Sequence, residues 1–402
     1  MCLRALEIRY GPNVHQLILR DPIKDDFMLV SDFSHNAIYQ ISLTDQSVQG
    51  IKAQDRKVLT GVAYSPVNDL VIWGTEASEL YIMHLNGTGK KMLPIFLSEG
   101  NRYYPKRFAV DYSTGNIYYT ATGDSNLKTR TESHVGVLSL NGKYRVLFTG
   151  LDYPYGLAVY PSKGQLFYTN CRSNPHLGQA SMDGSQSSVL LNISSDWPTE
   201  LTVDYKTDYL YWINYLEDSI NYFKLDGTNH STLTKYPNSN PLGIAFYQDY
   251  LFLSTKSYFH MIKLKISNPN ETTEFAEHAE LGIISVINIY SSAVQNKNAL
   301  CSADNGNCST FCFPIPGGRV CGCENGVELK EGSSTDCSNV ITCPMEFIHG
   351  RVVSPCTGKI GQRCDYECTE SGYKKNEVIP SITCTASGMW SRHTHCLCQR
   401  IP

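Results

Sequence analysis

From Trp197 to Gly227 the chain reads WPTELTVDYKTDYLYWINYLEDSINYFKLDG, and its apolar positions alternate along short runs instead of recurring at helical spacing. The runs are carried by β-branched and aromatic side chains such as Val203, Tyr205, Tyr209, Tyr211 and Trp212. This pattern predicts three strands: a proline-led LTVDY, an aromatic LYWIN after a polar bend at 206–208, and INYFKL. Asp226-Gly227 then offers the positive φ angles that a two-residue hairpin needs.

The same parts recur along the chain. Second strands read FMLVSD from Phe27, VIWGT from Val71, IYYTA from Ile117, LFYTN from Leu166, LYWIN from Leu210 and LFLST from Leu251. Their last residues, Asp32, Thr75, Ala121, Asn170, Asn214 and Thr255, stand roughly 41 to 49 residues apart. First strands recur as PKRFAVDY, PYGLAVYP, PTELTVDY and PLGIAFYQ, and as LTGVAYSP without the leading proline. Third strands end at Asn86-Gly87, Asn141-Gly142, Asp183-Gly184 and Asp226-Gly227, before fourth strands such as KKMLPIF and SSVLLNI. A four-stranded unit with a period in the forties, found six times, predicts an all-β, six-bladed propeller. An open sandwich would not repeat composition, turn chemistry and spacing together.

The ring must be closed, because an unpaired inner strand exposes backbone groups. IISVINIY (Ile283 to Tyr290) and HQLILR near the start compete to pair with FMLVSD. The C-terminal run is the favoured choice, and residues 1–20 keep an open role.

Among 402 residues, 34 basic and 38 acidic side chains nearly balance, so the charge gives no reason to expect nucleic acid. No run of about 20 apolar residues could span a membrane, and MCLRALEIRYGPN lacks the apolar region of a signal peptide. Thirteen of the 15 cysteines follow Leu300, which argues for an oxidising, extracellular setting. Five glycosylation sequons, at Asn86, Asn192, Asn229, Asn270 and Asn307, agree with that. Such a chain is best explained as part of a longer one, with Met1 not necessarily its natural start.

Cys301, Cys308, Cys312, Cys321, Cys323 and Cys337 have the spacing of an epidermal-growth-factor-like (EGF-like) module. That resemblance implies bridges 301–312, 308–321 and 323–337, each contributing about 2 to 4 kcal/mol to a unit too small for a sizeable core. Residues 343–396 resemble a complement-control (sushi) module, with CPMEFIHGRVVSPC, CDYEC, a Gly-Tyr pair and GMWS before the last cysteine. The resemblance implies Cys343–Cys384 and Cys368–Cys396, with Cys356–Cys364 as the extra pair found in selectin modules. Cys398, in LCQRIP, looks like the first cysteine of a truncated further module, residues 397–402. With Cys2 and Cys171 it is left over.

Together, the aromatic second strands, the proline-led first strands and the junction ISVINIYSSAVQNKNALCSADNGNCSTFC make residues 17–337 resemble the YWTD propeller and EGF unit of the LDL-receptor family. The implied division is a lead at 1–16, a propeller at 17–295, an EGF-like module at 301–337 and a sushi module at 343–396. One departure is clear: the motif's aspartate, which ties neighbouring strands in the family, is present only at Asp32.

An enzyme is not expected. Calcium-dependent propeller enzymes carry a ring of Asp, Asn and Glu where inner strands begin, whereas the starts here are Thr60, Arg107, Tyr155, Glu200 and Leu242. The Ser, His and Asp residues show no nucleophile-elbow spacing, and the histidines show no metal-ligand spacing. Lys297 to Leu300 lacks the acidic motif of a calcium-binding EGF module. No metal or cofactor is therefore expected.

What is left is protein recognition. Family propellers that bind ligands use the residues on either side of the strand-leading proline, which map to Trp197 and Thr199, with Lys106, Tyr155 and Leu242 at equivalent places. Trp197 alternatively packs on a neighbouring blade. Two function classes remain: a receptor ectodomain, endocytic or signalling, that takes a secreted protein, or a nidogen-like matrix protein whose propeller holds a structural partner.

Overall fold

The computed structural model describes residues 22–52, 57–93, 97–98, 101–123, 133–193, 197–257, 260–278, 281–294, 296–347, 349–353, 355–385, 389–391 and 397–400. The lead at 1–16, the HQLILR run, Cys2 and Cys396 lie outside them.

Within these residues, six antiparallel sheets follow one another as blades around an axis. Their inner strands, Ile284–Tyr290, Leu59–Ser65, Asn101–Val110, Pro154–Tyr160, Pro198–Asp204 and Pro241–Tyr247, touch one another in ring order. We number the blades 1 to 6 in that order. The ring closes as expected from the C-terminal run: Ile284–Tyr290 pairs with Phe27–Asp32, Tyr290 opposite Phe27 and Ile284 opposite Asp32. One sheet is thus built from both ends of the propeller, which removes the exposed edge.

Each second strand is sandwiched between its sheet neighbours and covered on both faces by adjoining blades. This is why FMLVSD and LVIWGT are buried at every residue and read as continuous apolar runs instead of alternating ones. Six apolar clusters lie between successive blades. Trp73, Phe27 and Val286 join blades 1 and 2, for example, and Trp212, Phe167 and Leu201 join blades 4 and 5.

Because each blade is a meander, its first-to-second and third-to-fourth turns share one end of the ring, here the exit face. The second-to-third turns and the loops into the inner strands share the other end, the entrance face. Backbone bonds stitch the exit side together in five blades: Leu43 to Asp26, Leu85 to Asp69, Met182 to Gly164, Leu225 to Asp208 and Ile266 to Asp249. The turn at Asp226-Gly227 differs from the two-residue hairpin that its sequence suggested. Only the glycine has positive φ, at 78° in Gly227, while Lys224 accepts from Gly227 and donates to Asn229. That is a turn followed by a glycine bulge.

A strand tie of the kind expected from the resemblance is present at Asp32, whose carboxylate accepts the Gly282 amide at 2.7 Å and the His35 amide at 3.1 Å. Asn170 performs the same task with a neutral side chain, accepting the Tyr153 amide at 2.9 Å. Loss of the aspartate therefore leaves the tie intact at this blade.

The first small module has bridges Cys301–Cys312, Cys308–Cys321 and Cys323–Cys337. It is docked on the exit face at blades 3 and 4. Phe311 and Phe313 stack at 5.5 Å and enter the cluster formed by Tyr118, Leu157, Tyr168 and Met182. Polar groups register the contact: Asn116 donates to the Cys312 carbonyl at 3.1 Å, the Asn298 amide donates to Ser113 at 2.6 Å, and Asn298 Nδ2 donates to the Pro161 carbonyl at 3.2 Å. Gly164 (φ 65°) lies so close to Ile315 that a Cβ would sit 2.2 Å from its carbonyl carbon, so this contact requires glycine.

The last module contains Cys343–Cys384 and Cys356–Cys364. Its third bridge differs from the expected one: Cys368 joins Cys398, not Cys396. Cys398 does not open another module. Cys398–Arg400 pairs with Tyr373–Lys375, and that pairing brings Sγ of Cys398 to Cys368. Spacing could not decide between two cysteines only two residues apart. Peptide mapping of the unreduced protein is expected to recover a 368–398 linked pair, and a 368–396 pair would refute this arrangement. Cys171, at the end of Gln165–Asn170, is buried with Sγ 2.7 Å from the Pro198 carbonyl.

Candidate binding face

Every inner strand carries the same bulge toward its entrance end, where the register slips just after Ile284, Leu59, Pro105, Pro154, Pro198 and Pro241. Two residues there oppose one partner, which turns the chain and re-aims side chains toward the axis. The slip sets two rings of equivalent positions. Thr60, Lys106, Tyr155, Thr199, Leu242 and Ser285 form the upper ring; Gly61, Arg107, Gly156, Glu200, Gly243 and Val286 form the lower one. The starts expected from sequence mixed the two, since Arg107 and Glu200 belong below Thr60, Tyr155 and Leu242.

Hydroxyls on the second strands hold the bulges. Thr169 accepts the Gly156 amide at 2.8 Å and donates to the Thr199 carbonyl of the next blade at 2.6 Å. Thr120 does the same, accepting from Arg107 at 3.2 Å and donating to the Tyr155 carbonyl at 2.6 Å. Each such threonine therefore fixes a loop of its own blade and one of its neighbour.

In the lower ring, glycine alternates with larger residues. A Cβ on Gly156 would lie 2.3 Å from the Thr199 carbonyl oxygen. With no side chain there, Arg107 on blade 3 passes across and forms an ion pair with Glu200 on blade 5. Its guanidinium also donates to the Thr60 and Lys106 carbonyls, to the Tyr155 hydroxyl at 2.8 Å and toward the Ser285 carbonyl at 3.5 Å. Arg107 is only 5% exposed and Glu200 7%. One side chain thus engages blades 1, 2, 4 and 5 and plugs the entrance end of the channel. Below it lies a cavity of about 440 Å³ walled by residues such as Val62, Leu157 and Ile244, with Tyr112, Tyr205 and Tyr247 toward the exit face.

Sequence reasoning did not single out this plug, although its signal was present: the lower ring holds one arginine and one glutamate, two blades apart. An acidic ring able to hold calcium would need like charges there. Among the described residues, no group of three or more His, Cys, Asp or Glu side chains is placed to hold a metal ion.

Above the plug, the face is aromatic and cationic. The Arg107 guanidinium faces the Tyr155 ring, 4.3 Å from ring centre to carbon, and Tyr155 stacks with Tyr153 at 6.3 Å. Tyr153 in turn meets Lys106 at 5.3 Å and Arg172 at 4.5 Å. These contacts bring Lys106 and Tyr155 into one cluster. Trp197 is partly exposed, and its carbonyl accepts from Tyr215 at 3.0 Å; Leu242 is partly exposed, while Thr199 is buried. Tyr153 and Arg172 were not expected from sequence, yet Tyr153 precedes the strand-leading Pro154 just as Trp197 precedes Pro198.

No family model matches the chain. It is 29% identical over 314 residues to the vitellogenin receptor Yl of Drosophila melanogaster, a match covering 75% of this chain and 14% of that receptor. A vitellogenin receptor of Solenopsis invicta is 30% identical over 36% of this chain and 8% of its own length. The human low-density lipoprotein receptor-related protein 5-like protein is 31% identical over 33% of this chain and 50% of its own length. Among solved structures, a chain of a nidogen/laminin complex covers 66% of this chain and 98% of itself at 20% identity and a TM-score of 0.56, a likeness of fold.

Fold and relatives together support a YWTD-type propeller with attached disulfide-rich modules. The chain spans a small part of the vitellogenin receptors it matches.

Proposed function

We propose that this chain is a non-catalytic, extracellular ligand-binding segment of an LDL-receptor-related receptor and that it takes a secreted protein on its entrance face. The observation that carries this reading is the Lys106, Tyr153, Tyr155 and Arg172 cluster seated over a plugged channel. The plug makes this end a surface instead of a pore, and the bulges hold its side chains on rigid strands, so docking costs little ordering entropy. Aromatic and guanidinium groups are the residue types that most often dominate binding energy. The receptor relatives favour this reading over a matrix role, for which the nidogen likeness supplies fold alone.

The test begins with the whole secreted chain, immobilised and screened against a panel of secreted proteins. Trp197→Ala and Tyr153→Ala are then measured against each binder by surface plasmon resonance. Truncating an anchor of this kind costs about 2 kcal/mol, roughly thirtyfold in affinity. Full affinity in both well-folded variants would remove the site from this face. Loss of thermal stability in Trp197→Ala would instead assign that ring to packing between blades.

A further inference from the structure

The structure sorts the five sequons by face. Asn86, Asn229 and Asn270 all lie in or beside the third-to-fourth turns, of blades 2, 5 and 6, between Leu80–His84 and Lys91–Leu93, Ser219–Lys224 and His230–Lys235, and Met261–Lys265 and Thr272–Phe275. All three are exposed. By the meander argument these turns share the exit face, the same end at which the EGF-like module covers blades 3 and 4. Asn192 ends the outermost strand of blade 4, opposite His176, and so lies at the perimeter of the other end. Asn307 belongs to the EGF-like module.

Local chemistry is compatible with a sugar at Asn86 and at Asn229. At Asn86 both bonds from Thr88, backbone at 3.0 Å and hydroxyl at 2.7 Å, fall on Oδ1. The nitrogen that would carry the glycan is used by neither. At Asn229 the side-chain nitrogen makes a long 3.4 Å contact with the Tyr209 hydroxyl, and a glycosylated amide keeps one N–H to donate.

We infer that Asn86, Asn229 and Asn270 carry N-linked glycans that, with the docked EGF-like module, cover the exit face and leave the entrance face as the open one. Five of six blades are then occupied at the exit end, three by sugar and two by protein. A protein partner is excluded there by bulk. This gives the proposed docking face a physical reason to be on the entrance side, and it rests on that reading only for its consequence, since occupancy is measured without a partner.

The experiment uses the whole chain secreted from animal cells. Release with peptide N-glycosidase in heavy-oxygen water converts each occupied asparagine to labelled aspartate. Label is expected at all of Asn86, Asn229 and Asn270, and an unlabelled site among them would overturn the assignment. The cover is tested with a bulky polyethylene-glycol amine-reactive ester. Exposed Lys91 and Lys206 lie on exit-side elements, whereas exposed Lys256 lies in a second-to-third turn on the entrance side. Modification of Lys91 and Lys206 is expected to rise several-fold after glycan release while Lys256 stays unchanged. Equal modification before and after release would show that the glycans do not shield this face. Either failure leaves the entrance-face reading to be judged by its own binding test.

Discussion

Arg107→Ala is expected to destabilise the propeller by about 3 to 5 kcal/mol, because it leaves the Glu200 carboxylate buried without its partner. For a domain of this size that corresponds to a fall in melting temperature on the order of 10 °C. The loss extends beyond one ion pair, since the guanidinium also satisfies the Thr60 and Lys106 carbonyls and the Tyr155 hydroxyl. Replacing both partners with apolar residues, Arg107→Met with Glu200→Leu, should recover most of the stability, because desolvation of two charges offsets much of their attraction. Thermal melts of the parent, both single variants and the pair form the required double-mutant cycle. If Arg107→Ala melts within a degree or so of the parent, the plug is not a structural hub.

Phe311→Ala is expected to loosen the EGF-like module from the propeller. Phe311 is fully buried in a cluster shared with Tyr118, Leu157 and Tyr168, and removing a ring from such a site costs about 3 to 5 kcal/mol. The three internal disulfides should keep the module itself folded. The loss therefore falls on the interface, where polar contacts such as Asn116 to Cys312 contribute about 1 kcal/mol each. The readouts are proteolytic cutting in the linker at 291–300 and a separate low-temperature transition in calorimetry. Phe311→Leu, which retains most of the volume, should show neither. An uncut linker and a single transition in Phe311→Ala would mean that the remaining contacts suffice.

The propeller was legible in the sequence because each blade repeats local signals that need no knowledge of distant residues. A proline precedes the inner strand, an aromatic run is buried on both faces, and a glycine follows an Asn or Asp in the outer turn. Closure could also be anticipated, since an unpaired inner strand would be costly and Ile283 to Tyr290 had the right pattern. The bridges of the first small module were anticipated only through its resemblance to EGF-like modules, since spacing alone leaves six cysteines within a short stretch many possible pairings.

Tertiary structure alone decided the choices that depend on half-ångström geometry or on residues far apart in the chain. The bulge moved Arg107 and Glu200 one position below Tyr155, and the bare Gly156 between them allowed a pair across 93 residues to meet. Cys368 found Cys398 because a short strand pair at Tyr373–Lys375 carried it there. Sequence patterning sets which residues are buried and which turns can form, since those depend on neighbours in the chain. Which side chains from different blades share the axis depends on how the ring closes, and that is a property of the assembled fold.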